Sequence, residues 1–324
     1  MSFRHGLKWL AAAGLSLAMA GCSASNGSST ETTVSSANPE ESAVDQVETL
    51  AGDKLSVLCP VGAPALASLG LADAGATVEY VDGQDLLVSE LSKMDGYDMI
   101  IAPVNVGIKT WKDAGAYQLD GILTWGNLYV VSPDENWNEA GKTIALFGEQ
   151  AVPGMVFTNL YPECQANMEF YPSVSEASAA LLAGKADSAM LAQPAAAGAI
   201  AKAGQDGKEL STVTDLQSEW QAAHETEQNG YPQAALFVKK DSADKYADQI
   251  EKLKTFIDSA DEAKIEKAVD AYGAEQLGVP NAKLAASTWQ AQNIHYVPAK
   301  ECKDDLQKFL DVFSIQIPDG IIVE

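Results

Sequence analysis

The stretch LCPVGAPALAS, residues 58–68, joins a β-rich run to a helix-like one through Pro60, Gly62 and Pro64. Proline and glycine stop a strand and turn the chain into a helix. Such a corner leaves free backbone N–H groups above the strand end, where a phosphate, a reacting bond or a carried solute would sit. A Walker-type phosphate cradle needs G-x-x-x-x-G-K-[ST] after a strand. The only GKT, residues 141–143, has Asn136 where the first glycine belongs, and it precedes its strand. Gly62 therefore either seats a ligand with its backbone or makes the turn and nothing more.

Other chemistry-bearing residues carry paired readings. Asn105 ends a strand, where it either contacts a ligand or caps the next helix. Trp125 and Asn127, in TWGNLY, either stack on and hydrogen-bond a planar solute or pack inside the protein. Glu149 either pairs with an amino-bearing solute or is a solvated loop acid. Catalysis would need a constellation. Beyond residue 21 the histidines are His224 and His295, and neither belongs to an H-E-x-x-H pattern or to an evident metal cluster. There is no G-x-S-x-G elbow, and SADK (242–245) matches S-x-x-K without its partner motifs, at a helix start. No enzyme, cofactor or metal is expected. Cys22, Cys59, Cys164 and Cys302 contain no C-x-x-C pair. Cys59 reads as a core residue, and a Cys164–Cys302 bridge stays open.

The chain's ends and charge narrow the partners. Arg4 and Lys8 precede LAAAGLSLAMAG, an apolar run ending at Cys22. It is too short to span a bilayer, which takes about 20 apolar residues, and it fits the core of a signal peptide. LAMAGC resembles a bacterial lipoprotein signal, which implies cleavage before Cys22 and its lipidation, with palmitate among the acyl groups. The Ser/Thr-rich stretch after it lacks the apolar side chains for a core and reads as a flexible tether. The whole chain carries −24; without residues 1–21 it is 45 acids against 19 bases, or −26. That balance argues against nucleic acid and anionic lipid headgroups. Arg4 is the only arginine, so a bidentate guanidinium clamp on carboxylate or phosphate is excluded from the mature chain.

The elements that must position these residues alternate. TVEYV (77–81) reads as a strand, GQDLLVSELSKM as a helix with Leu86, Leu87, Leu91 and Met94 on one face, and YDMIIAPVN as a strand. GILTWGNLYVVS (121–132) is a long β-like stretch interrupted at Gly126. KTIALFG, MEFY and KADSAMLA are further strands. SVSEASAALLAG opens with the Ser173/Glu176 spacing of a capping box, and Pro194 opens a helix in QPAAAGAIAKAG. YPQAALFVKK (231–240) is a second long strand, followed by helices with apolar stripes Tyr246–Ile250–Leu253–Ile257 and Ile265–Ala268–Val269–Tyr272. The second stripe stops at Gly278 and Pro280, and Pro298 opens a last helix. This alternation predicts an α/β fold. A block between the two long strands has its own βαβα pattern, so two lobes with a cleft between them are expected, where small-molecule sites concentrate.

The lipoprotein-like signal, the tether, PVGAPALA, DMIIAPVN and the two crossings together resemble a bacterial ABC-transporter solute-binding protein of the two-crossing, type II periplasmic-binding-protein kind, near the sulfonate/nitrate/thiamine-precursor group. LLAGKADSAMLAQPAAAGA and YPQAALFVKKD resemble that group's corresponding stretches. The resemblance implies two Rossmann-like lobes with mixed, mostly parallel sheets. Residues 1–21 would be the signal peptide and 22–51 the tether. Residues 52–128 and 235–324 would form lobe 1, and 129–234 lobe 2 with the crossover strands. It implies an extracytoplasmic, lipid-anchored monomer at the cell membrane that captures a small organic solute and delivers it to an ABC permease. The ligand contacts it implies are Val61, Gly62 and Ala63; Pro103, Val104 and Asn105; Trp125 and Asn127; Glu149 and Gln150; Gln193; and Tyr231. No arginine or lysine falls in these loops, which favours a neutral solute over an oxyanion or sulfonate. An enzyme on the same scaffold, an oxyanion receptor held by helix N-termini, and a purely structural lipoprotein are the alternatives.

Overall fold

Apolar and β-branched runs become strands, in a computed structural model that describes residues 54–324. Along the chain these are β1 (Ser56–Pro60), β2 (Thr77–Val81), β3 (Met99–Pro103), β4 (Tyr117–Thr124), β5 (Leu128–Ser132) and β6 (Thr143–Phe147). Then follow β7 (Asn167–Tyr171), β8 (Ser188–Ala192), β9 (Ser211–Asp215), β10 (Ala234–Lys239) and β11 (Ile294–Pro298). The signal peptide, the tether and Cys22 lie outside the described residues.

Two sheets result, in the orders β11-β4-β10-β3-β1-β2 and β7-β6-β8-β5-β9. Their logic is the same. β1 lies parallel to β2 and β3, and β6 lies parallel to β7 and β8. Each sheet then accepts one antiparallel strand next to its third: β10 beside β3, and β5 beside β8. These strands follow the two crossings of the chain between lobes. The central strands β1 and β3 are buried along almost their whole length, as a sheet covered by helices on both faces requires.

The expected single run over 121–132 is two strands in different sheets. β4 ends at Thr124 and β5 starts at Leu128, with Gly126 between them at φ +86°. Only glycine enters that region without strain, and a Cβ there would come within 2.6 Å of the Tyr231 ring. The second crossing reaches its strand at Ala234, so Tyr231–Gln233 are linker. Two strands escape the sequence reading. β9 is an edge strand with exposed residues, and β11 interrupts the expected all-helical C-terminal region. The last helix begins at Lys303, after a short 3₁₀ turn that follows Pro298.

The Ser173 hydroxyl accepts from the Glu176 N–H and so caps the helix Val174–Leu182. One apolar cluster runs through both lobes, joining Ile100 and Ile122 to Val130 and Ile144 by way of Trp125 and Tyr231. A second cluster packs the opposite face of the first sheet, and a smaller one the opposite face of the second. All three described cysteines are free. Cys164 donates to the Asn138 Oδ1 at 3.1 Å, while Cys302 is buried against the Pro298 carbonyl, so no bridge joins them. Among the described residues no helix is long and apolar enough to cross a membrane.

Candidate ligand-binding cleft

Loops after strands of both sheets meet around a cavity of about 510 Å³. The size falls within the usual range of small-molecule sites. From the first lobe come the β1 corner (Pro60–Pro64), Pro103 after β3, Gln233 and Ala234 at the second crossing, and the Gly278–Pro280 turn. From the second lobe come Asn127 and Leu128 at the first crossing, the start of the helix Val152–Leu160, the start of Val174–Leu182, and Gln193–Ala195 after β8.

Of the residues singled out from sequence, Val61, Gly62, Ala63, Pro103, Asn127 and Gln193 line this cavity. Gly62 has φ +89° and is tied by its N–H to the Leu277 carbonyl at 2.8 Å. The Gly278 turn packs so tightly on this corner that a Cβ at 278 would come within 2.5 Å of Val61 Cβ. Asn127 and Gln193 are joined twice: the Asn127 Nδ2 donates to the Gln193 carbonyl at 2.8 Å, and the Gln193 N–H donates to the Asn127 carbonyl at 2.9 Å.

The others do not line it. Val104 is buried in the apolar cluster, and its N–H is spent on the Gln233 carbonyl. Asn105 sits in the first turn of the helix Val104–Ala114, outside the lining, with its Oδ1 buried and without a partner. Glu149 and Gln150 are exposed in the turn before the helix Val152–Leu160. Trp125 is fully buried: its indole N–H donates to the His295 carbonyl, and its ring stacks on the His295 imidazole at 5.3 Å. Tyr231 is likewise fully buried between Trp220 and Phe309, and burial drives its hydroxyl pKa well up. Both aromatics hold the crossings together. The Trp125 carbonyl accepts from the Tyr231 N–H and from the Asn293 Nδ2.

Sequence reasoning missed Gln233, the Gly278–Pro280 turn and the proline content of the walls. It also missed Gln217, which grips the first residue of β5: its Oε1 accepts from the Leu128 N–H at 2.8 Å and its Nε2 donates to the Leu128 carbonyl at 3.0 Å. Gln233 directly precedes a crossing strand, a signal that was available. The pairing of residue 278 with residue 61 carries none.

Chemically, the cleft is uncharged. No Asp, Glu, Lys, Arg or His lines it, and its polar side chains are Gln84, Asn127, Ser175, Gln193 and Gln233. Six of the chain's thirteen prolines stand in its walls, at 60, 64, 103, 153, 194 and 280. Helix starts ordinarily offer free N–H groups to an anion. Here Pro64, Pro153 and Pro194 remove donors at three of those starts, and the Ala197 N–H is taken by the Gln193 Oε1. Among the described residues no group of three or more His, Cys, Asp and Glu could hold a metal ion.

No family model matches the chain, and no curated protein sequence does. Solved structures match. An ABC transporter from Parabacteroides distasonis superposes with a TM-score of 0.69 at 20% identity, over 84% of this chain and 99% of that one. The ligand-binding component of an ABC-type import system from Staphylococcus aureus, solved with zinc bound, gives a TM-score of 0.56 at 10% identity, over 83% and 96%. The chain has the two-lobed periplasmic-binding-protein fold. Identities this low establish that fold and leave the ligand to the cleft's own chemistry.

Proposed function

We propose that this protein is the solute-capturing component of an ABC importer, taking a small uncharged organic molecule between its lobes and handing it to a membrane permease. One observation carries the reading: a 510 Å³ cleft built by strand-end loops of both lobes, with polar amides in its walls and no charged side chain. Enclosure and a few convergent polar groups supply affinity in such sites, and closure of the lobes completes it. Ser175 is the one hydroxyl in the lining, and no acid or base stands in the lining to activate it, which supports binding without turnover. The wall prolines and the missing cations weigh against an oxyanion or sulfonate, whose charge would have to be met by backbone N–H groups alone. Capture would take place on the outer side of the cell membrane, with Cys22 as the lipid attachment point and the stretch to residue 51 as the tether.

The test is a thermal-shift screen of the purified protein against uncharged heterocycles and amides, amino acids, sulfonates and oxyanions. A ligand at about 100 times its Kd adds about 2.7 kcal/mol of stability, so an uncharged class should stand out. A shift with oxyanions alone would replace the proposed ligand class. No shift with any class would remove the receptor reading.

A further inference from the structure

Two buried acceptor atoms in the cleft walls have no partner. Asn127 is 4% exposed, and its Oδ1 receives no hydrogen bond. The orientation of its amide is fixed, because the other end donates to the Gln193 carbonyl at 2.8 Å. Gln233, on the facing lobe, likewise has a buried Oε1 with no donor. Gln193 is oriented the opposite way. Its Oε1 accepts from the Ala197 N–H at 3.2 Å, which leaves Nε2, a two-hydrogen donor, as the free end. Among the lining residues the second lobe thus carries an unmet buried acceptor and a free donor, on residues whose backbones are directly paired, and the first lobe carries another unmet buried acceptor.

A buried acceptor left without a partner is costly, and a ligand that supplies the missing N–H recovers that cost. The complementary molecule carries an N–H beside a C=O for Asn127 and Gln193, and a second N–H for Gln233. It has no formal charge, because nothing in the lining would balance one. Its apolar part meets walls of proline, alanine and valine together with Leu128 and Phe147. We propose that the cleft recognises an uncharged cyclic amide or urea, read on its N–H/C=O edge by the Asn127 Oδ1 and the Gln193 Nε2, with the Gln233 Oε1 taking a second N–H. This rests on the reading of the cleft as a solute site and names the solute's chemical class.

The experiment uses matched probes and isothermal titration. Uracil and 2-pyrrolidone carry the edge; 1,3-dimethyluracil and N-methyl-2-pyrrolidone keep the shape and carbonyls and lose the N–H. Sulfate and methanesulfonate stand for anions. The expected result is millimolar or tighter binding of uracil, with its dimethyl twin weaker by about tenfold or more, the range that one unmet buried acceptor imposes. Gln193→Glu keeps the acceptor for the Ala197 N–H, replaces the donor and should weaken uracil by a similar factor. A thermal melt of that variant confirms folding, and the probe comparison on the unaltered protein does not depend on it. Equal binding of a probe and its methylated twin, or binding of anions alone, would overturn the N–H assignment and leave a receptor. No binding by any probe would overturn both.

Discussion

His295 lies flat against Trp125, with an interplanar angle of 10°, and its Nε2 faces the Gln228 Oε1 at 3.3 Å. Burial lowers its pKa below the ordinary 6.5. His224, stacked on Trp220, is lowered too, by burial and then by the Lys308 charge. The unfolded chain therefore takes up protons near pH 6.5 that the folded chain refuses until lower pH. Stability is fully present above the unfolded value and declines as pH falls through it. Asp120 acts in the opposite sense at lower pH, since burial raises its carboxyl. Substituting one histidine isolates its share. Denaturant midpoints of the protein and of His295→Gln, measured between about pH 7.5 and about pH 5.5, should fall more steeply for the unaltered chain. Parallel curves would show that His295 titrates normally and that its place between Trp125 and Gln228 costs it nothing on charging.

The two crossings form a small element of their own, and backbone contacts fix it. Gly230 has φ +107°, and a Cβ there would lie 1.9 Å from the Trp125 carbonyl oxygen. That same oxygen accepts from the Tyr231 N–H, so the approach cannot relax without releasing the bond. Gly184 also has a positive φ, +68°, but open space around it. Gly230→Ala should therefore cost at least about 2 kcal/mol, while Gly184→Ala should cost about 1 kcal/mol from φ alone. Equal losses in urea unfolding would mean that the crossings repack freely. This contact was not legible in the sequence, because it joins residues more than a hundred positions apart. Elements with a local signature were legible: β1 and β3 as short apolar runs, the helix Val174–Leu182 by its Ser173 cap, Gly126 as a break. The edge strands β2 and β7 were legible too, whereas the edges β9 and β11 were not, since β9 carries one apolar side chain and β11 is a short run amid helical segments. The cleft divides in the same way. Asn127 and Gln193 are polar residues at strand ends, an unusual place that reads as a surface facing something. Trp125 and Tyr231 are aromatic, and an aromatic ring suits a packed seam as well as a ligand wall.

At the scale of the molecule, charge and site are separated. The chain carries −24, yet no ionisable side chain lines the cleft. The acids lie elsewhere, where like charges repel one another. An uncharged solute feels that field weakly, because only a net charge couples to it at long range. Binding should therefore respond little to ionic strength. An anion behaves differently. It must approach a strongly negative protein, and added salt would screen that repulsion over the Debye length of about 8 Å at physiological salt. Titrating the best-bound probe in about 0.02 M and about 0.5 M sodium chloride decides between them. The expected Kd for an uncharged solute agrees within about twofold across that range. Binding that tightens several-fold with salt would mean that the solute carries negative charge, and that backbone N–H groups at the helix starts hold it despite the prolines. Binding that weakens several-fold would mean a cationic solute drawn by the acidic surface, whose charge the amide carbonyls of Asn127 and Gln233 would then have to meet.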